Sequence, residues 1–258
     1  MRLVLVALAV AALAAEARAD VIGRPLVLAP GSIEGGVAVE TNLAPRRVGK
    51  ALSIAPDVLV GVTPRLTLGI VHSARALGLV ATGDGLCLGG IYRGCNDAYK
   101  NLALDARWSI RAGRAGRAGG FALAAHGRAL VRRFDPLLPS VRVGALARWR
   151  RGAFEVASDP YLQLGLWHRD RGNRAVIGVP LWLAVAPTCR WALYLHTGVR
   201  GEVAVFGDAW AVPIAVGTRV AVTPRVDVSA EGGFERLGGP LNTGNLRSAW
   251  IAVDLRWP

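Results

Sequence analysis

From about residue 35 onward, apolar residues recur at every second position in segments of roughly ten residues, broken by turn formers. A period of two places successive side chains on opposite faces of a strand. Twelve strands are predicted on this basis: 35–43, 50–62, 66–74, 99–111, 120–132, 140–149, 153–167, 174–186, 191–202, 210–222, 226–236 and 247–257. One parity is wholly apolar, as in Leu52, Ile54, Val58, Val60 and Val62, or Ile177, Val179, Leu181, Leu183 and Val185. The last segment shows Ile251, Val253, Leu255 and Trp257 on the same parity.

The other parity is polar and charged. It carries Asp57; Asp105, Arg107 and Arg111; His126 and Arg128; Arg142 and Arg148; and Glu155, Asp159 and Tyr161. It continues with Tyr194, His196 and Arg200; Arg219; Asp227 and Glu231; and Asp254 and Arg256. A soluble sandwich would turn its apolar faces inward. Twelve strands whose second face is so poorly suited to close packing favour a sheet closed on itself, apolar outside and ionic within. The predicted fold is therefore all-β, a closed antiparallel transmembrane β-barrel of about 12 strands, with 10 to 14 compatible with the pattern.

Connection lengths alternate. Val60-Gly61-Val62-Thr63-Pro64-Arg65-Leu66-Thr67-Leu68 is matched position for position by residues 220–228, and residues 185–193 form a looser copy with Cys189 in the proline slot. Each reads as a hairpin with a very short turn. Arg150-Arg151-Gly152 is another tight turn, and a glycine-arginine stretch at 113–119 fills the remaining slot. Longer connections at 75–98, 133–139, 168–173, 203–209 and 237–246 alternate with these. Short turns at one end and longer loops at the other are expected of a membrane barrel.

The chain opens with Arg2, an apolar run from Leu3 to Ala15 and then Ala17-Arg18-Ala19, which predicts a secretory signal over 1–19 removed after Ala19. Residues 20–34 read as an extended lead-in and 35–258 as one barrel domain. No later apolar run approaches the ~18 residues of a helical span. The formal net charge of +13 rests almost wholly on arginine, with only Lys50 and Lys100 as lysines. The arginines are dispersed rather than run together, and export removes the chain from nucleic acid; membrane lipid and lipopolysaccharide phosphates are the expected partners. Cys87 and Cys95 bracket a glycine-rich stretch, and an oxidising compartment permits a disulfide between them across an outer loop. No metal-ligand spacing is present among His72, His126, His168 and His196, and no cofactor is implied.

With the Ala17-Arg18-Ala19 signal, the Gly61–Gly69 hairpin and the aromatic-ended strand from Trp250 to Trp257, the chain resembles bacterial outer-membrane β-barrel proteins. The resemblance implies outer-membrane residence and delivery by the barrel-insertion machinery, whose usual terminal aromatic signal is here followed by Pro258. A mixed-charge lumen in a barrel of this size points to a narrow channel or transporter for small polar or charged solutes. The alternative is a closed structural or adhesive barrel acting through its loops, above all 75–98. A lipid hydrolase built on His196 with Glu202, or His126 with Ser109, lacks a local signature, and no catalytic residues are assigned.

Overall fold

The computed structural model describes residues 20–44, 52–81, 84–88, 97–113 and 120–258. The strands are β1 (Ile33–Asn42), β2 (Leu52–Thr63), β3 (Leu66–Val71), β4 (Gly85–Leu88), β5 (Tyr99–Arg111), β6 (Gly120–Phe134) and β7 (Leu137–Arg151). They continue with β8 (Phe154–Ser158), β9 (Tyr161–Gly165), β10 (Val176–Thr188), β11 (Trp191–Glu202), β12 (Trp210–Ala221), β13 (Val226–Gly238) and β14 (Thr243–Trp257). β1 pairs antiparallel with β14 from Ile33 opposite Trp257 to Asn42 opposite Ser248, which closes the sheet. Twelve strands form the ring; β4 and β9 are additional and short. β4 pairs with β2 and β5 beyond the end of β3, and β9 pairs with β7 and β10 beyond the end of β8.

The Thr-x-Arg repeat has a common cause. In each turn the threonine Oγ1 accepts the backbone N–H two residues on: Arg65 to Thr63 (3.2 Å), Arg190 to Thr188 (3.3 Å) and Arg225 to Thr223 (3.2 Å). A side chain that satisfies its own turn lets two strands join without a longer loop.

The barrel is inside-out relative to a soluble protein. Val216 (65% exposed), Leu104 and Ile251 stand on the outer surface, whereas Glu40, Asp227 and His196 are almost fully enclosed. An outward apolar face and an inward ionic one suit hydrocarbon outside. Trp108, Phe121, Trp149, Phe154, Trp191 and Trp257 are all exposed and all lie near the strand ends that share a side with both termini, an aromatic girdle at the periplasmic rim.

Three details depart from the sequence reading. The connection expected at 133–139 is a two-residue turn at Asp135-Pro136, because β6 and β7 run on towards it. A register shift between Ser109 and Arg111 adds one residue to β5, so Arg111 lies opposite Leu123 and its guanidinium sits 5.9 Å from the Phe121 ring, exposed on the outside of the wall at that same rim. The third departure is the largest. β3 ends at Val71 rather than 74, and the described part of the long connection turns into the barrel, not outward, before regaining the wall as β4. Cys95 of the expected disulfide lies outside the described residues, as do the predicted signal and residues 114–119 of the glycine-arginine turn.

Candidate functional site

Two segments occupy the lumen. The first is the lead-in, residues 20–32, at the periplasmic end. Val21 donates its N–H to the Cys189 carbonyl (3.0 Å), Arg150 donates to the Ile22 carbonyl (2.9 Å), and Gly23 N–H meets the Glu155 carboxylate. Arg24 forms an ion pair with Asp227, which Arg256 also grips at 2.8 Å. Val21 and Ile22 are buried with Ala186 and Ala192 in a small apolar cluster.

The second segment is the inward loop after β3. Asp57 accepts the backbone N–H groups of His72 (2.8 Å) and Ser73 (3.1 Å), capping the point where the chain leaves the wall. Glu40 accepts from Ala74 (2.8 Å) and Asp84 (3.2 Å), holding both ends of the excursion. Arg128 donates to the Ala76 carbonyl (2.6 Å) and Arg142 to the Leu77 carbonyl (2.7 Å). Leu77 is buried against Leu59, Val71, Ala103 and Leu130. Gly85 returns the loop to the wall with φ of 69°; a Cβ there would fall 2.4 Å from the Ile54 carbonyl oxygen. The loop is thus seated by hydrogen bonds to otherwise stranded backbone groups and by an apolar plug.

From this loop Arg75 reaches across the lumen to Asp254, with one contact at 2.6 Å, and lies 3.8 Å from Asp57. Burial opposes its charge, but Asp254 and Asp57 outweigh that and hold it firmly protonated. Burial also pushes the Asp84 carboxyl up from its ordinary range, against the pull of Lys100 and Asn101.

The strand residues form linked ionic clusters. His126 bridges Asp105 (2.7 Å) and Asp159 (2.9 Å), and Asp105 also receives Arg128 (2.6 Å) and Arg107 (2.9 Å). Arg142 donates to Gln163 (3.1 Å) and stacks 3.9 Å over Tyr161, whose ring fills the space above Gly178. Arg148 is 3.9 Å from Glu155. His196 faces Glu231 (3.2 Å), which Trp250 also approaches (3.3 Å). Tyr194 covers Gly217. Both ring nitrogens of His126 thus meet carboxylates rather than Ser109, and His196 meets Glu231 rather than Glu202; Glu202 is paired with Arg174 at 2.9 Å. Neither imagined hydrolase pair is assembled. Arg200 and Arg219 have no ion-pair partner among the described residues.

The loop divides the lumen. Above it, two cavities of about 300 and 240 Å³ meet at Arg132, Arg200 and Glu235. Together they hold Arg132, Arg142, Arg200, Arg236 and Lys100 against Asp84, Glu202 and Glu235, an excess of two positive charges. Below it, cavities of about 230 and 260 Å³ meet at Arg75, Trp182 and Arg219, and there acidic groups slightly outnumber basic ones. The upper pair shares no lining residue with the lower pair. The mixed charge of the lumen is therefore split by height. Arg75, Glu40 and Arg24 were missed by the sequence reading; Glu40 alone carried a signal, since it shares its parity with Asn42 and opposes the outward Val37 and Val39.

No protein-family model matches the sequence, and no curated protein matches it. Solved structures do match the fold. The KdgM porin in complex with disordered oligogalacturonate superposes with a TM-score of 0.56 at 7% identity, over 88% of this chain and 99% of that one. The KdgM porin alone gives 0.57 at 7% identity over the same shares. The NanC porin gives 0.56 at 9% identity, over 87% and 98%. The chain has the fold of the bacterial outer-membrane β-barrels, with an apolar outer face that suits hydrocarbon.

Proposed function

We propose that this protein is a narrow outer-membrane channel that draws small anionic solutes into its external basin and restricts their passage with its own inward loop. The observation that carries this reading is the upper basin, where among the described residues five basic side chains face three acidic ones and Arg200 stands without an ion-pair partner. Arg142 Nε and Gln163 Nε2, both buried, lack hydrogen-bond partners at its floor. Unneutralised donors in a confined, partly desolvated basin attract anions and raise their local concentration. The similar barrel solved with oligogalacturonate, an acidic saccharide, supports the same class of solute. Solutes would meet the cationic basin first and then the inward loop that carries Arg75.

A second reading has its own support. The loop crosses the lumen and no residue is shared between the cavities above and below it, as in a closed structural barrel. Planar-bilayer recording of the refolded full chain separates the two. The channel reading expects small discrete steps with anion selectivity in a KCl gradient, and a reversal potential that changes sign in Arg132→Glu/Arg200→Glu. Absence of any step, with the barrel folded, establishes the closed barrel; steps without anion preference refute the role given to the basin.

A further inference from the structure

The lower cavity beside the lead-in has features that a passage alone does not need. It measures about 230 Å³ and is walled by Trp182, Tyr194 and Trp250, with Val21 and Ile22 as its periplasmic floor. Trp182 stacks on His196 at 4.6 Å between centroids. His196 is 1% exposed, and with its Nδ1 turned to Glu231 its Nε2 is left buried without a hydrogen-bond partner. Arg219 Nε is likewise buried and unpartnered, and its guanidinium has no carboxylate within 4.0 Å among the described residues. The other charges here are committed: Arg75 to Asp254, Glu231 to His196 and Trp250, Glu155 to Gly23 and Arg148. Among the charged groups that line this aromatic-walled chamber, Arg219 has no ion-pair partner among the described residues.

We propose that this chamber is a binding site for a single small carboxylate with a flat apolar body. Its carboxylate pairs with Arg219 and accepts a hydrogen bond from the Nε2–H of His196, in the imidazolium form whose Nδ1–H also donates to Glu231, and its body lies among the three aromatic rings. A half-buried guanidinium without a carboxylate partner gains from acquiring one, and a carboxylate is the planar partner that its donors fit. The chamber is smaller than the ~300–1,000 Å³ of sites for drug-sized ligands, which limits the body to about one ring. The site stands whether or not the barrel conducts, because it requires only that the ligand reach the chamber.

Benzoate tests this on the refolded full chain in detergent, by calorimetry and by tryptophan fluorescence. Saturable binding of one benzoate per chain is expected, with benzamide, which has the same shape without the charge, binding at least about tenfold more weakly. Arg219→Gln weakens benzoate by a similar factor. Ala184→Leu, which fills the chamber from β10 while leaving Arg219 and His196 unaltered, abolishes it. Equal binding of benzoate and benzamide, benzoate binding indifferent to both substitutions, or no saturable signal would overturn the proposal; the last would mean that water alone satisfies these groups.

Discussion

Leu77 is the residue on which the inward loop is seated, and removing its side chain gives a quantitative test of the plug. It is 1% exposed and packs on Leu59, Val71, Ala103 and Leu130. Leucine-to-alanine changes in such clusters cost roughly 2–5 kcal/mol. Leu77→Ala leaves intact the backbone hydrogen bonds from Arg142 and to Glu40, and the Arg75–Asp254 pair, so the loss falls on seating alone. At about 1.36 kcal/mol per tenfold, the released loop becomes about thirty to several thousand times more populated. Trypsin reads this directly, since Arg75 is shielded while the loop is seated and cleavable once released. When opening and closing outpace cleavage, the rate follows the open population. Cutting after Arg75 should accelerate at least about thirtyfold, with longer conducting bursts in bilayers. An unchanged rate, in a variant whose electrophoretic mobility still shifts on heating as a folded barrel does, would refute the seating argument.

Two further outcomes test the wall and its inner lining. Val216→Arg puts a charge on the most exposed apolar position of β12, and refolding into vesicles should show a loss of ~2–4 kcal/mol; an unchanged urea midpoint would mean that this face does not meet hydrocarbon. Gly178→Ala would bring a Cβ to 2.4 Å from Tyr161 Cζ, displacing the ring and the Arg142 stacked on it; a stability loss of ~1–3 kcal/mol is expected, and a neutral result would show that the ring moves freely.

The wall was legible because period-two alternation survives almost every residue of it. Strand ends moved by only a few positions, and the Thr-x-Arg repeat marked three of the turns. Arg111 was misread because a one-residue bulge reverses parity, and nothing local in Trp108-Ser109-Ile110-Arg111 announces it. The inward loop was misread for a different reason. A long glycine-containing connection looks the same in sequence whether it folds out or in. A trace was nonetheless present: Leu59 and Leu130 sit on the lumen parity, between Asp57 and Gly61 and between Arg128 and Arg132, where an apolar side chain needs an apolar companion. Leu77 is that companion. The clusters around Asp105 and Glu231 depend on which residues stand opposite one another across paired strands, a register that alternation alone does not fix, so membership of the lumen was readable while partnership was not.

Because β4 takes up pairing with β2 and β5 where β3 lets go, the stopper and the hull are cut from one length of chain. Dragging the excursion far towards either mouth would peel β4 from its neighbours and open a seam of bare amides to the lipid, a penalty of several kcal/mol per group. Whatever motion admits a solute must then be a short swing about Asp57 and Gly85, not an expulsion, which limits the aperture to something far narrower than the ring of twelve strands would allow.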